Sequence, residues 1–290
     1  MKAALIKLHI AIFLWGFTGV LGRAIQLNEG LLVWYRILIT VVSLFVLMKW
    51  QNELEKIPFK TMLQLFGIGA IVALHWVCFY GSIKYANVSI ALICFSSSGV
   101  LTALLEPLMT KKKMVLIELL LGLIGIAGIY LIFHFDTRYR TGIIVGFIST
   151  VLSVLFSILN KRTVASVSPK TIMLYELTGG LLMLSFLMPA YLHYFPTTKY
   201  VPSSFDWGWL LLLSWVCTVY AMDLSLQALQ KVSAFTQNLT LNLEPVYGII
   251  LAFLVYHENK ELSEYFYIGF VLILAAVSLQ MFRVLKLNKH

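Results

Sequence analysis

The sequence predicts an all-α integral membrane protein with ten transmembrane helices arranged as two inverted five-helix repeats. Three observations lead there. The 290 residues are 60% apolar and only 12% charged, where a soluble domain carries about 25% charged residues. The apolar residues fall into ten runs, each near the roughly 20 residues a helix needs to cross a bilayer core about 30 Å thick. The first and second halves also resemble each other weakly. Mean hydropathy is +0.88, which excludes a soluble enzyme, a disordered tail and a disulfide scaffold. Lys2 and Lys7 precede an apolar run with no small-residue cleavage site, so no removable leader is expected.

The runs lie near 7–24, 30–49, 61–82, 87–109, 115–134, 142–159, 171–192, 207–228, 232–256 and 263–282, and short links between them favour antiparallel neighbours. Lys and Arg set the orientation. Counting alternate links places 15 basic residues on one side and six on the other: Arg23, Lys84, Arg138, Arg140, Lys199 and Lys260. Cytoplasmic loops carry the excess, so both termini are expected in the cytoplasm of a multi-pass cell-membrane protein. The net charge of +9 is thereby read as a topology signal, and no nucleic-acid partner is expected. Cys78, Cys94 and Cys217 lie inside apolar runs with no C-x-x-C or cysteine–histidine spacing, so no metal or redox motif is implied.

The repeats are read as 1–136 and 140–285. "WYRILITVVSLFVL" (34–47) sits beside "LYELTGGLLMLSFLM" (174–188), "SIKYANVSIAL" (82–92) beside "LQALQKVSAFT" (226–236), and "GLIGIAGIYLI" (122–132) beside "GFVLILAAVSLQ" (269–280). Each half holds an odd number of spans, so the second enters the membrane from the opposite side. Inverted repeats that meet at a midplane site are a transporter architecture.

"FLWGFTGV" (13–20), the Arg of "VWYRILI" (33–39) and "VSAFTQNLTLNLEPVYGIILAFLVYHE" (232–258) resemble the drug/metabolite transporter superfamily, EamA-type carriers with ten spans. The resemblance covers nearly the whole chain. It implies a secondary transporter, with metabolite or amino-acid efflux as the expected activity. The chain departs from a symmetric pattern in one respect: Glu106-Pro107 lies 17 residues after Ser89, whereas Glu244-Pro245 lies 11 after Ser233.

Charges inside spans cost roughly 2.5–3.5 kcal/mol each at a helix centre and are normally turned inward and used. Glu244 falls near the middle of its span, before a proline that loosens the turn and frees carbonyls. Gln237 and Thr240 share its face, and Asn238 and Asn242 flank it. Asp223, with Tyr220 and Gln227 a turn away on either side, is a second candidate, or else an interfacial partner of Lys231. His75, Trp76 and Tyr80 form a third group. A histidine with a reference pKa near 6.5 suits a proton relay, or simply a hydrogen bond to a neighbouring helix. Arg36 and Glu176 align between the repeats with opposite sign, which suggests an inter-repeat ion pair; the alternative is that Arg36 snorkels to the headgroups. Glu106 reads as an interfacial counter-ion. Glu258, Glu261 and Glu264 read as solvated residues of a link, and Trp15 as a core aromatic or a gate.

Three acidic groups in the spans against one Arg favour a cationic or zwitterionic small-molecule solute, or coupling to protons or another ion; no cofactor is expected. No G-x-x-x-x-G-K-[ST] motif indicates direct ATP drive. Two alternatives stay open beside the carrier: an intramembrane enzyme such as a protease, and a non-transporting sensor. The protease would need a nucleophile–base pair, and "SSSG" (96–99) is not the G-x-S-x-G elbow. On balance the chain is not expected to be an enzyme.

Overall fold

The computed structural model describes residues 2–110, 115–163, 167–229, 240 and 243–287, all helix, turn or coil with no strand among them. The helices are α1 (Lys2–Ala24), α2 (Glu29–Trp50), α3 (Phe59–Tyr85), α4 (Val88–Phe95), α5 (Ser98–Thr110), α6 (Leu116–Phe135), α7 (Arg140–Thr163), α8 (Pro169–Tyr194), α9 (Ser204–Ser214), α10 (Ala221–Leu229), α11 (Glu244–Tyr256) and α12 (Glu264–Leu287). Six helical stretches are long and apolar enough to cross a membrane, and shorter apolar stretches fall where the fourth, fifth, ninth and tenth runs were expected. Large apolar side chains such as Phe45, Phe186, Leu254 and Phe282 stand exposed on the outside of the bundle, as a lipid-facing surface requires.

Helix starts follow the local sequence. Asn28 Oδ1 accepts from Leu31 N and Asn87 Oδ1 from Ile90 N, each satisfying a donor that the first turn leaves open. Ser203 and Asp206 form a reciprocal capping box at the start of α9. Two expected single helices are interrupted. The run 87–109 is split at Ser96 and Ser97, whose hydroxyls donate to the Leu92 and Cys94 carbonyls at 3.0 and 2.6 Å. The same two carbonyls also accept from the Ser96 and Ser97 backbone amides, so each hydroxyl adds a second local bond at the break. The run 207–228 widens into a π-turn over Trp215–Tyr220, between α9 and α10.

Helix contacts obey an exchange of the two halves. The α3–α7 contact is matched by α1–α10, α3–α8 by α2–α9, and α1–α11 by the contacts of α7 with α4 and α5. The pairs α2–α8 and α6–α12 map onto themselves. This is the pattern a two-fold between two repeats demands. Small residues permit the closest crossings. A Cβ on Gly180 would lie 2.7 Å from the Gly69 carbonyl oxygen, and one on Gly128 2.7 Å from that of Gly269.

Links expected on one side of the membrane also meet at one end of the bundle. Arg23 pairs with Glu258, Lys84 donates to the Ile25 carbonyl, and Lys199 bonds Gln26. At the opposite end Lys170 pairs with Glu53 at 2.7 Å and Lys7 donates to Gln227 at 2.7 Å. The expectation for Glu258 needs correcting: it is fully buried and not solvated. Its carboxylate accepts from Val88 N, Ser89 N and Ser89 Oγ, so an acid from the second repeat caps α4 of the first.

Candidate functional site

A cavity of about 280 Å³ lies where the repeats meet, lined from the first by Trp15, Arg36, His75 and Trp76 and from the second by Asn160, Glu176 and Glu244 among others. Helical spacing explains which residues reach it. Ser153, Phe156, Ser157 and Asn160 form one face of α7, and Met173, Glu176 and Leu177 one face of α8.

Arg36 is 4% exposed, so it does not snorkel to the surface. Its Nε and Nη2 donate to Thr218 Oγ1 at 3.1 and 2.9 Å, and Nη1 donates to Tyr80 Oη at 2.8 Å. The guanidinium lies 3.8 Å from the centroid of Trp76, a stacking geometry that holds a cation in an apolar place. Thr218 sits in the π-turn and donates to the Leu213 carbonyl, five residues back, at 2.9 Å. Ser214 Oγ and Thr40 Oγ1 both donate to the Arg36 carbonyl. A π-turn shifts side chains relative to the regular ladder, a device frequent at functional sites; here it supplies the hydroxyl that fixes the arginine.

The expected Arg36–Glu176 ion pair is not formed in this conformation. The guanidinium is engaged by Thr218, Tyr80 and Trp76, while Glu176 Oε2 accepts from Asn160 Nδ2 at 3.3 Å. Both charges line the same cavity without meeting. Glu244 opens α11 directly before Pro245, is buried, and lines the cavity. Its backbone is tightly packed, since a Cβ on Gly16 would lie 3.1 Å from its carbonyl oxygen. Gln237, Asn238 and Asn242 lie outside the described residues, as does Lys231.

His75 is buried at the cavity wall, with Nδ1 2.8 Å from the Ser149 carbonyl oxygen and 2.9 Å from its hydroxyl. Tyr80 does not line the cavity but supports Arg36 from behind. Asp223 and Tyr220 are corrections, because neither lines the cavity. Asp223 accepts from Gln227 Nε2 at 2.6 Å, and Gln227 accepts from Lys7, so this carboxylate belongs to a polar cluster at the bundle end. Tyr220 is 51% exposed on the outer surface. Sequence reasoning missed Thr218, Asn160, Ser153 and Ser157. A helical-face reading of "SVLFSILN" (153–160) would have found the last three; the π-turn has no such signal.

Known proteins fit this architecture. The chain matches the EamA-like transporter family twice, over residues 2–134 and 140–282. It belongs to the EamA-like transporter family. A curated Haemophilus influenzae protein named as an uncharacterized transporter is 27% identical over 164 residues, 53% of this chain. The match spans about half of that relative's length, 53%. A solved crystal structure superposes at a TM-score of 0.61 over 96% of both chains with 15% sequence identity, a likeness of fold alone. As an EamA-like transporter, the chain is a multi-pass membrane protein of two repeats. The resemblance read from "FLWGFTGV" and the Glu-Pro segment is thereby shown.

Proposed function

We propose that this EamA-like transporter is a secondary carrier that moves a small polar metabolite, amino-acid-like or cationic, by alternating access through the central cavity. The direction is export across the cell membrane, with both termini in the cytoplasm, and a proton or another ion supplies the coupling. The observation that carries the reading is the convergence of Arg36, Glu176 and Glu244 on one cavity between the repeats. Buried ionisable groups in membrane spans mark solute and ion pathways, and two halves that exchange around a shared site are built to rock about it. A volume of about 280 Å³ suits a solute of amino-acid size, at the small end of ligand pockets. Two carboxylates beside one arginine favour a zwitterion or cation over a multiply charged anion, which would call for further embedded basic residues. Aromatic rings of Trp15, Phe79, Phe95 and Phe156 are among the remaining lining groups and suit an apolar or cationic solute part.

The test is uptake of labelled amino acids into everted membrane vesicles, with and without an imposed pH gradient, for the wild type and Glu244→Gln. The expected result is gradient-stimulated flux that falls about tenfold or more in the variant, as when a charged contact of about 1.5–3 kcal/mol is lost. Unchanged flux in the variant would remove Glu244 from the pathway.

A further inference from the structure

Asn160 and Glu176 carry a feature that the rest of the cavity lacks. Asn160 Nδ2 donates to Glu176 Oε2, while Glu176 Oε1 and Asn160 Oδ1 are both buried with no hydrogen-bond partner. Buried acceptors are nearly always satisfied, and a bare carboxylate oxygen in a low-dielectric place is costly. Two such oxygens, on hydrogen-bonded residues that both line the cavity, leave two acceptors without a donor. The group required is compact, cationic and rich in N–H bonds. A hard metal ion would call for about six oxygens, far more than this pair offers.

We propose that Asn160 and Glu176 form the subsite for a primary ammonium group of the transported solute, a deepening that rests on the carrier reading above. The ammonium donates to Glu176 Oε1 and Asn160 Oδ1, and the existing Asn160–Glu176 bond holds the two side chains together. Phe156, one turn before Asn160 on the same face of α7, offers a ring to the cation. Arg36 lines the same cavity and presents a fixed guanidinium, the group best matched to a carboxylate. A zwitterion with ammonium and carboxylate on one carbon frame then has a defined orientation, its ammonium held by the second repeat and its carboxylate by the first. Arg36 and Glu176, each held by its own partners, are then free to take the two opposite charges of one solute.

The experiment follows thermal unfolding of the purified full-length protein in detergent. The probes are the proteinogenic L-amino acids, their decarboxylated amines, the corresponding deaminated acids, and NaCl. At least one amine is expected to stabilise the wild type. Glu176→Gln is expected to weaken that amine about tenfold or more, since a hydrogen bond to a charge is lost, and to leave the deaminated acid essentially unchanged. Asn160→Ala keeps the carboxylate, is expected to weaken the amine by a smaller factor, and serves if the first variant folds poorly. The proposal is overturned if no amine stabilises the wild type, if sodium does so in place of amines, or if both variants bind the amine as the wild type does. Flux of a neutral or anionic solute that Glu176→Gln leaves intact overturns the subsite and spares the carrier. Absence of flux for every solute, with amine binding retained, overturns the carrier reading instead.

Discussion

Arg36 of the first repeat donates from two nitrogens to the single hydroxyl of Thr218 in the second, at 3.1 and 2.9 Å. This contact joins α2 to the π-turn across the repeat boundary and fixes the cavity's one arginine. Lysine keeps the charge but not the planar fork or the stack on Trp76. Arg36→Lys is therefore expected to cut flux by about tenfold or more, since each 1.4 kcal/mol is a factor of ten, and to lower the unfolding midpoint because buried contacts to Thr218 and Tyr80 are lost. Thr218→Val removes this acceptor together with the hydroxyl's own bond to the Leu213 carbonyl, and should cost about 1.5–3 kcal/mol of arginine positioning. Vesicle flux and unfolding midpoints of both variants check the order.

Glu258 gives a stability prediction. Its carboxylate caps α4 and pairs with Arg23, whose side chain is 31% exposed against 0% for the glutamate. Removing the fully buried glutamate leaves the Val88 and Ser89 amides without their acceptor and should cost about 1–3 kcal/mol for each donor left unpaired. Arg23→Ala should cost less, because the backbone amides of Val88 and Ser89 still hold the carboxylate. Unfolding midpoints in detergent should rank wild type above Arg23→Ala above Glu258→Ala. A reversed order would contradict the capping role.

The α3–α8 crossing supplies a controlled comparison. A Cβ on Gly69 would sit 1.7 Å from the Glu176 carbonyl oxygen, whereas one on Gly67 meets nothing within 4 Å. Gly69→Ala should force the helices apart, lowering folded yield and displacing Glu176 in the cavity wall. Gly67→Ala should be neutral or stabilise by about 0.5–1 kcal/mol, the helix-interior difference between glycine and alanine. Yield and midpoint measurements on the pair separate packing from propensity.

Much of this was legible in the sequence, and the failures share a cause. The run pattern placed the helices, and the cost of a charge in lipid singled out Glu244 for a cavity and Arg36 and Glu176 for an inter-repeat pair. His75 and Trp76 also reach its wall. Glu258 misled because its link reads as polar and short, and its burial depends on α4, 169 residues earlier in the chain. Asp223 misled because a carboxylate near a helix end can turn to the bundle interior or to its end. Only the positions of Gln227 and Lys7 decide between them. The repeat alignment put Arg36 opposite Glu176, and both do reach one cavity. It carried no information about Thr218 or Asn160, which take up their polar atoms instead.

The central claim is a hydrated cavity between the repeats, and thiol labelling tests it most directly. Ser157 is exposed on the cavity face of α7, while Leu182 is 55% exposed near the middle of α8 on the bundle's outer surface. A thiol reacts with a cationic methanethiosulfonate only where water supports the thiolate. In a background with Cys78, Cys94 and Cys217 replaced, Ser157→Cys should be modified in intact membranes and Leu182→Cys should not. Equal inertness of the two would contradict a wet central cavity.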